Sequence, residues 1–319
     1  MAVRCAILDD YQNVALGFAD WTKVAGDVEL QTFNTHLGSA DNVVRALKDF
    51  TIIAMMRERT PFPRAVIEAL PNLKLLITTG MANRSIDLAA CAERGITVCG
   101  TSSFGNPTTG ITFGLMLELT RRIGWENARL KAGEPWQVTI GTDLEGLTLG
   151  ILGLGKLGAR VAGVAKAFGM NCIGWSQNLT TERCRELGVE HVSKEDLFRR
   201  ADILTIHMIL SDRSRGLVGG RELGLMKKSA YLINTSRGPI VDETSLIAAL
   251  REKRIAGAGL DVFETEPLPL DHPFRTIDNA VITPHLGYVS RQNYEHYFHN
   301  IVVNIRSWLD GSPVRVLSA

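Results

Sequence analysis

The sequence predicts an α/β protein of two doubly wound domains. Three observations carry that prediction. The chain has 319 residues, and at roughly 100–200 residues per domain that length asks for two. Short apolar runs alternate with amphipathic stretches along most of it, the pattern of parallel strands buried on both faces and joined by helices. A glycine-rich turn separates one of those runs from the helical stretch that follows, in a chain with 30 glycines.

Composition removes several other classes. Hydrophobic residues make up 45% and charged residues 22%, which excludes disorder as the main state. Lys+Arg 35 against Asp+Glu 34 leaves a formal net charge of +1, giving no general attraction for nucleic acid or an anionic membrane. No apolar run approaches the ~20 residues of a membrane helix, and residues 1–10 lack the apolar core of a signal peptide. The cysteines, Cys5, Cys91, Cys99, Cys172 and Cys184, are widely spaced, with no CxxC pair or Cys/His cluster. The expectation is reduced thiols in a cytoplasmic enzyme, with neither a disulfide framework nor a metal site.

In chain order, residues 3–8, 28–33, 51–56, 73–78 and 96–100 read as strands, continuous rather than alternating in apolar character. Helical stretches at 42–48, 63–70 and 86–93 lie between them; residues 39–41 and Ser85 offer N-cap chemistry and Gly95 a stop. Residues 107–123 read as a longer helix with an apolar stripe of Phe113, Leu115, Met116, Leu119 and Ile123. A second α/β series begins at Gly146, with strands at 148–152, 171–175, 203–208, 230–234, 258–263 and 280–283. Residues 291–309 are helical again and end at Gly311-Ser312-Pro313. No solenoid repeat or low-complexity segment interrupts this order.

Gly153-Leu154-Gly155-Lys156-Leu157-Gly158 fits G-x-G-x-x-G. Alone the hexapeptide is a weak signal; its context makes it specific. A strand precedes it, a helix with apolar face Leu157, Val161, Val164, Ala165 and Phe168 follows, and another strand comes next. In a dinucleotide-binding turn Gly153 permits the tight bend, Gly155 lets backbone approach a pyrophosphate, and Gly158 lets helix and strand pack closely. Lys156 and Leu157 stand at the helix start, whose N–H groups face the phosphates. At the end of the next strand an NAD-binding unit usually places an acid on the ribose. Here the residues are Ser176-Gln177-Asn178. With no carboxylate to repel a 2′-phosphate and three neutral hydrogen-bonding side chains, NADP is favoured over NAD. No arginine sits in the turn, the nearest later one being Arg183; the alternative is NAD held by Ser176 or Gln177.

Three further segments put polar residues at strand ends, where open α/β sheets bind ligands. They are residues 233–242, 259–267 and 282–287, carrying N-x-x-R-G, D-V-F-x-x-E-P and T-P-H-x-G in that order. With the glycine turn, this ordered set closely resembles the D-isomer-specific 2-hydroxyacid dehydrogenases, among them phosphoglycerate, glyoxylate/hydroxypyruvate and D-lactate dehydrogenases. The resemblance covers essentially the whole chain. It implies a Rossmann dinucleotide-binding domain, residues 106–289, inserted into a flavodoxin-like substrate domain of residues 1–105 and 290–319. It further implies a homodimer, and a cleft between the domains that closes on substrate.

Carried over by position, the resemblance makes Arg237, Glu266 and His285 the catalytic trio. Reducing a 2-oxoacid needs a hydride on C2 and a proton on its oxygen. Histidine titrates near neutral pH and can supply that proton. A carboxylate beside it favours imidazolium and fixes which nitrogen faces substrate. Arg237 offers a permanently charged planar fork to the substrate carboxylate and the polarised carbonyl. Hydride comes from the nicotinamide, so no metal is required. Asp261 resembles the position near the nicotinamide carboxamide, and His207, Thr235, His285 and Gly287 also join the predicted cofactor-binding set. For the substrate 2-oxoacid or 2-hydroxy acid, the resemblance adds Arg57 and the loop Gly80-Met81-Ala82, whose backbone N–H groups form an anion nest. The chain departs from many relatives at Thr109-Gly110, where they carry Ala-Glu. Two other readings share this scaffold. Formate dehydrogenases lack a glutamate at the histidine's partner position, so Glu266 argues against that one. A dinucleotide-sensing corepressor would keep the glycine turn but has no need of the trio.

Overall fold

The structure, a computed structural model, describes residues 3–318. It divides into two compact units, Met1–Gly105 with Ser290–Ala319, and Asn106–Val289. Met1, Ala2 and Ala319, which fall within the predicted domain limits, lie outside the described residues.

In the first unit the strands are β1 (Val3–Ile7), β2 (Val28–Thr32), β3 (Ile52–Met55), β4 (Leu75–Thr78) and β5 (Thr97–Gly100). Their helices are α1 (Ala40–Leu47), α2 (Arg64–Glu68) and α3 (Leu88–Glu93). All strand pairs are parallel, in the order β2-β1-β3-β4-β5. β3 and β4 are buried at every position, whereas edge strand β2 alternates; a central strand covered on both faces has no polar side to show. Ser39 caps α1 as expected, accepting from the Asn42 N–H. Ser85 does not cap α3. Phe62 bonds the backbone of both Ser85 and Asp87, keeping residue 86 extended. The helix therefore starts two residues later than predicted, capped by Asp87 at 2.8 Å from the Ala90 nitrogen.

The second unit opens with α4 (Pro107–Arg121) and α5 (Ile123–Lys131). The predicted single helix through residue 123 is thus two. Arg122 takes a left-handed conformation (φ 50), and the Glu118 carboxylate accepts from the Gly124 N–H at 2.7 Å. Phe113, Leu115, Met116 and Leu119 are buried, and Ile123, beyond the break, is exposed.

The strands that follow are β6 (Thr148–Leu152), β7 (Asn171–Trp175), β8 (Glu190–His191), β9 (Ile203–Ile206), β10 (Tyr231–Asn234), β11 (Gly257–Leu260) and β12 (Ala280–Ile282). Interleaved helices are α6 (Lys156–Ala167), α7 (Thr181–Glu186), α8 (Lys194–Arg200), α9 (Gly220–Leu225) and α10 (Glu243–Arg251). The sheet runs β12-β11-β10-β9-β6-β7-β8, all parallel. Adjacent strand residues serve opposite faces. Leu204 and Leu232 join a core with Phe198, Leu223 and Leu246, while Ile203 and Ile233 join one with Met116, Val161 and Ala165. Each face is covered by helices, as a doubly wound sheet requires. β8, with two residues, is too short to leave a periodic signature. Phe168 was expected on the buried face of α6 but lies past its end, 41% exposed and stacked on Phe113.

The chain returns to the first unit with α11 (Arg291–Leu309), which buries Tyr294, Tyr297, Phe298, Ile301, Val302 and Ile305. Among the described residues no helix is long and apolar enough to cross a membrane, and no group of three or more His, Cys, Asp or Glu is arranged to hold a metal ion.

Candidate active site

Every strand of the second sheet points the same way, so every loop after a strand opens on one edge. There the loops after β6, β7, β9, β10, β11 and β12 present Gly153, Ser176, His207, Arg237, Glu266 and His285 respectively. The chain turns off β6 to β7 on one side and returns to β9 on the other. That reversal is the switch point at which open α/β sheets take ligands.

The glycine turn lies at this point. Gly153 has φ +101, and a Cβ there would sit 2.7 Å from the His207 carbonyl oxygen at the end of β9. A Cβ on Gly158 would overlap the Gly153 carbonyl. Gly155 has open space before it and is the N-cap of α6, with Lys156 exposed beside it. A bare backbone turn ending in free helical N–H groups fits a pyrophosphate. His207, predicted within a strand, instead follows the end of β9. Its Nε2 lies 3.0 Å from the Thr205 hydroxyl, and its Nδ1 is buried without a hydrogen-bond partner among the described residues. Burial pushes its pKa down to about 4, so the ring is neutral. Ser176 is partly buried at the end of β7, and Gln177 and Asn178 are exposed beyond it. Thr235 is buried against Thr112 of α4, with hydroxyls 3.1 Å apart.

The trio is built from three adjacent loops. His285 Nδ1 lies 2.6 Å from Glu266 Oε2. Glu266 Oε1 accepts from the Phe263 N–H at 3.0 Å. Burial works to raise the Glu266 carboxyl, but the hydrogen bond and charge of His285, the Phe263 N–H and the charge of Arg237 outweigh it and hold it below the usual range. An ionised Glu266 makes Nδ1 the protonated nitrogen and leaves Nε2 as the ring nitrogen outside this pair. Arg237 follows β10, its turn braced by Asn234 Nδ2 on the Arg237 carbonyl (3.0 Å) and by Ser236 Oγ on the Ile206 carbonyl (2.7 Å). A Cβ at Gly238 would overlap the Phe263 backbone. The Arg237 turn and the loop bearing Glu266 therefore pack backbone to backbone.

Asp261 supplies what the motif alone did not reveal. It is fully buried. Oδ1 accepts from Thr283 Oγ1 (2.6 Å) and the Leu286 N–H (2.7 Å), and Oδ2 from the Gly287 N–H (2.7 Å). Burial raises its carboxyl even against those bonds. His285 lies between these anchors in a left-handed conformation (φ 54), uncommon for a side chain other than glycine. Tyr288 is buried, with its ring edge-on to the imidazole at 5.4 Å. The Gly287 carbonyl is held in turn by Thr108 Oγ1 (2.7 Å) at the start of α4.

In the first unit, Arg57 follows β3 and Gly80 follows β4. The Arg57 N–H donates to Thr79 Oγ1 (2.8 Å) and its Nη1 to the Thr79 carbonyl (3.2 Å). Gly80 exchanges bonds with Thr101, N–H to Oγ1 at 3.0 Å and carbonyl from N–H at 3.1 Å. Met81 and Ala82 are exposed next to it. Thr79 and Asn83 flank the predicted Gly80–Ala82 loop, and their supporting role, with that of Thr101, is what sequence reading missed. No motif marks such a role, because any small polar residue near a strand end has the same appearance in sequence.

The fold and this edge define a dinucleotide-binding α/β protein with a carboxylate–imidazole pair on the same sheet edge as the glycine turn. Residues 113–287 match the family described as D-isomer specific 2-hydroxyacid dehydrogenase, NAD binding domain. A glyoxylate reductase of Aeropyrum pernix is 42% identical over 70% of this chain and 69% of its own length. A D-3-phosphoglycerate dehydrogenase of Methanocaldococcus jannaschii is 39% identical over 82% of this chain, and the match spans 49% of that longer protein. The crystal structure of a phosphoglycerate oxidoreductase from Vibrio cholerae superposes with a TM-score of 0.92 at 33% identity, covering 97% of this chain and 100% of that one. The chain belongs to the D-isomer-specific 2-hydroxyacid dehydrogenase family.

Proposed function

We propose that the protein reduces a 2-oxoacid to the D-2-hydroxy acid, using NADP in preference to NAD. The observation that carries this reading is the 2.6 Å pair of Glu266 and His285 on the same sheet edge as the glycine turn. Gly153, Gly155 and Gly158 with the start of α6 would hold the pyrophosphate, and Ser176, Gln177 and Asn178 the ribose end. When bound, the nicotinamide supplies the hydride. Glu266 keeps the imidazole oriented with Nδ1 inward. His285 Nε2 delivers the proton to the substrate C2 oxygen, and Arg237 binds the carboxylate and polarises the carbonyl. Arg57 and the N–H groups around Gly80 bind the same carboxylate class. The NADP preference rests on the absence of an acid at residues 176–178.

The reading is tested by following absorbance at 340 nm with glyoxylate, hydroxypyruvate, pyruvate and phenylpyruvate, each with NADPH and with NADH. Turnover with at least one acid, faster with NADPH, is the expected result. A flat trace across the panel would sink the enzyme reading. The protein is further proposed to be a cytoplasmic homodimer. Five free buried cysteines suit a reducing compartment. The exposed apolar residues Ile123, Trp125, Leu130, Trp136, Val138 and Ile140 are a surface a second copy would cover. Trp136→Asp is expected to shift the mass measured by light scattering from dimer to monomer.

A further inference from the structure

The first sheet has a switch point of its own. In the order β2-β1-β3-β4-β5 the chain leaves β1 for β2 on one side and returns to β3 on the other. The carboxyl ends of β1 and β3 therefore flank the position at which open α/β sheets take ligands. β3 ends at the turn bearing Arg57. Asp9 stands two residues past the end of β1.

Asp9 is 2% exposed and has a left-handed backbone (φ 57). Its Oδ2 accepts from Thr60 Oγ1 at 2.8 Å, and its Oδ1 from the Tyr11 hydroxyl at 3.0 Å. The Arg59 guanidinium lies over the Tyr11 ring, 4.6 Å from its centroid. Thr60 is itself buried, and His36 Nε2 reaches the Arg59 carbonyl at 3.1 Å. The Arg57–Thr60 turn is thus held at both ends. Thr79 and Asn83 fix the Arg57 end, Asn83 Nδ2 donating to the Arg57 carbonyl at 2.7 Å. Asp9 fixes the Thr60 end directly and Arg59 through Tyr11. Burying a carboxylate is costly, and burial does raise the Asp9 carboxyl against the bonds of Thr60 and Tyr11 and the charges of His36 and Arg59. What the carboxylate adds over a neutral side chain is two strong acceptor positions, one taken by Thr60 of this turn and one by Tyr11, on whose ring Arg59 rests.

We infer that Asp9 is a positioning residue that clamps the Arg57–Thr60 turn and so holds the Arg57 guanidinium against Gly80, ready for a substrate carboxylate. The inference rests on the reading of Arg57 as a carboxylate binder given above.

The test is steady-state kinetics of the full chain with glyoxylate at saturating NADPH, for Asp9→Asn, Thr60→Val, Thr60→Ser, Arg57→Gln and the double variant Asp9→Asn/Arg57→Gln. Asp9→Asn and Thr60→Val are expected to raise the glyoxylate KM roughly five- to twenty-fold, with kcat within about two-fold and the NADPH KM unchanged. Thr60→Ser keeps the hydroxyl and should retain the native KM. In the Arg57→Gln background Asp9→Asn should add nothing, because the guanidinium it positions is gone. If Arg57→Gln raises the KM while Asp9→Asn and Thr60→Val do not, or if their effects add fully, the clamp is overturned. If Arg57→Gln itself leaves the KM unchanged, the reading of Arg57 fails instead. Amide exchange at residues 57–60 then decides the clamp alone: faster exchange in Thr60→Val than in Thr60→Ser upholds it, and equal rates reject it.

Discussion

Gly287 donates its backbone N–H to Asp261 Oδ2 at 2.7 Å, and that bond holds the loop bearing His285 to the end of β11. With the Thr283 hydroxyl and the Leu286 N–H on Oδ1, one carboxylate holds the loop on both sides of the imidazole. Asp261→Asn can keep the Oδ1 bonds but presents an NH2 group to the Gly287 N–H. Leaving a buried donor unpaired costs about 1–3 kcal/mol. The expected outcome is a lower Tm and a lower kcat, with the dinucleotide Kd measured by fluorescence titration less affected than kcat. A pure rise in dinucleotide Kd at native kcat would place Asp261 at the cofactor and not in this clamp.

The Glu266–His285 pair makes a prediction with a definite sign in pH. The Glu266 carboxyl is held below its ordinary value of 4.5. A carboxyl with a depressed folded pKa contributes stability that is present above the unfolded value and lost as pH falls through the folded one. The stability difference between the native chain and Glu266→Gln should therefore be full at pH 7 and shrink only below 4.5. In turnover, His285→Ala is expected to cost roughly 10²–10⁴ in kcat. Glu266→Gln should cost less, because the imidazole remains. Native turnover by His285→Ala would remove it as the proton donor.

How much of this was legible in sequence varies by residue. The parallel sheets were, because β3, β4 and β9 are buried at every position and leave uninterrupted apolar runs. Gly153 and Gly158 were, because close backbone packing leaves no room for a Cβ there, and the order of the motifs placed Arg237, Glu266 and His285 on three neighbouring strand ends. The break at Arg122 was not: Arg121-Arg122-Ile123 carries no glycine or proline, and a side-chain bond from Glu118 makes the turn. Ser85 had cap chemistry, yet a tertiary bridge to Phe62 moved the helix start. Asp9 had the signal of an acid at a strand end, but its partner in the clamped turn, Thr60, is 51 positions on, where no local pattern reaches.

Gly80 is where local backbone and the predicted substrate contact meet. Its φ is +95, and a Cβ there would overlap the Arg57 guanidinium. Gly80→Ala therefore strains the backbone by about 1–2 kcal/mol and displaces Arg57. Losing a charge-assisted bond of about 1.5–3 kcal/mol corresponds to roughly a ten- to hundred-fold rise in KM for the 2-oxoacid. Kinetics at fixed NADPH would check it. An unchanged KM in a folded variant would separate Gly80 from substrate binding.

His207 gives a second pH signature, opposite in origin to that of Glu266. Burial holds its ring neutral, with the pKa down from 6.5 to about 4. The unfolded chain takes up a proton there that the folded chain refuses, so stability falls as pH drops below 6.5. At pH 5 the loss is about 2 kcal/mol from this group. His207→Gln, which cannot titrate, should flatten that part of the profile in urea titrations between pH 7 and pH 5. Parallel profiles for the two proteins would show that the ring titrates freely in the fold.

The proposed NADP preference rests on residues 176–178. Ser176, Gln177 and Asn178 present dipoles and no charge, so a 2′-phosphate meets no repulsion and a bare ribose meets no carboxylate acceptor. Gln177→Asp supplies both effects in one side chain, a methylene shorter. An acid accepts from the ribose hydroxyls and repels a phosphate, and a charge-assisted bond contributes about 1.5–3 kcal/mol. The ratio of kcat/KM for NADPH to that for NADH should fall by roughly ten-fold or more. Both cofactors should still support the same kcat, since His285 and Glu266 lie on the loops after other strands of the sheet. A ratio that does not move would mean that Gln177 faces solvent in the holoenzyme and that Ser176 or Asn178 sets the preference.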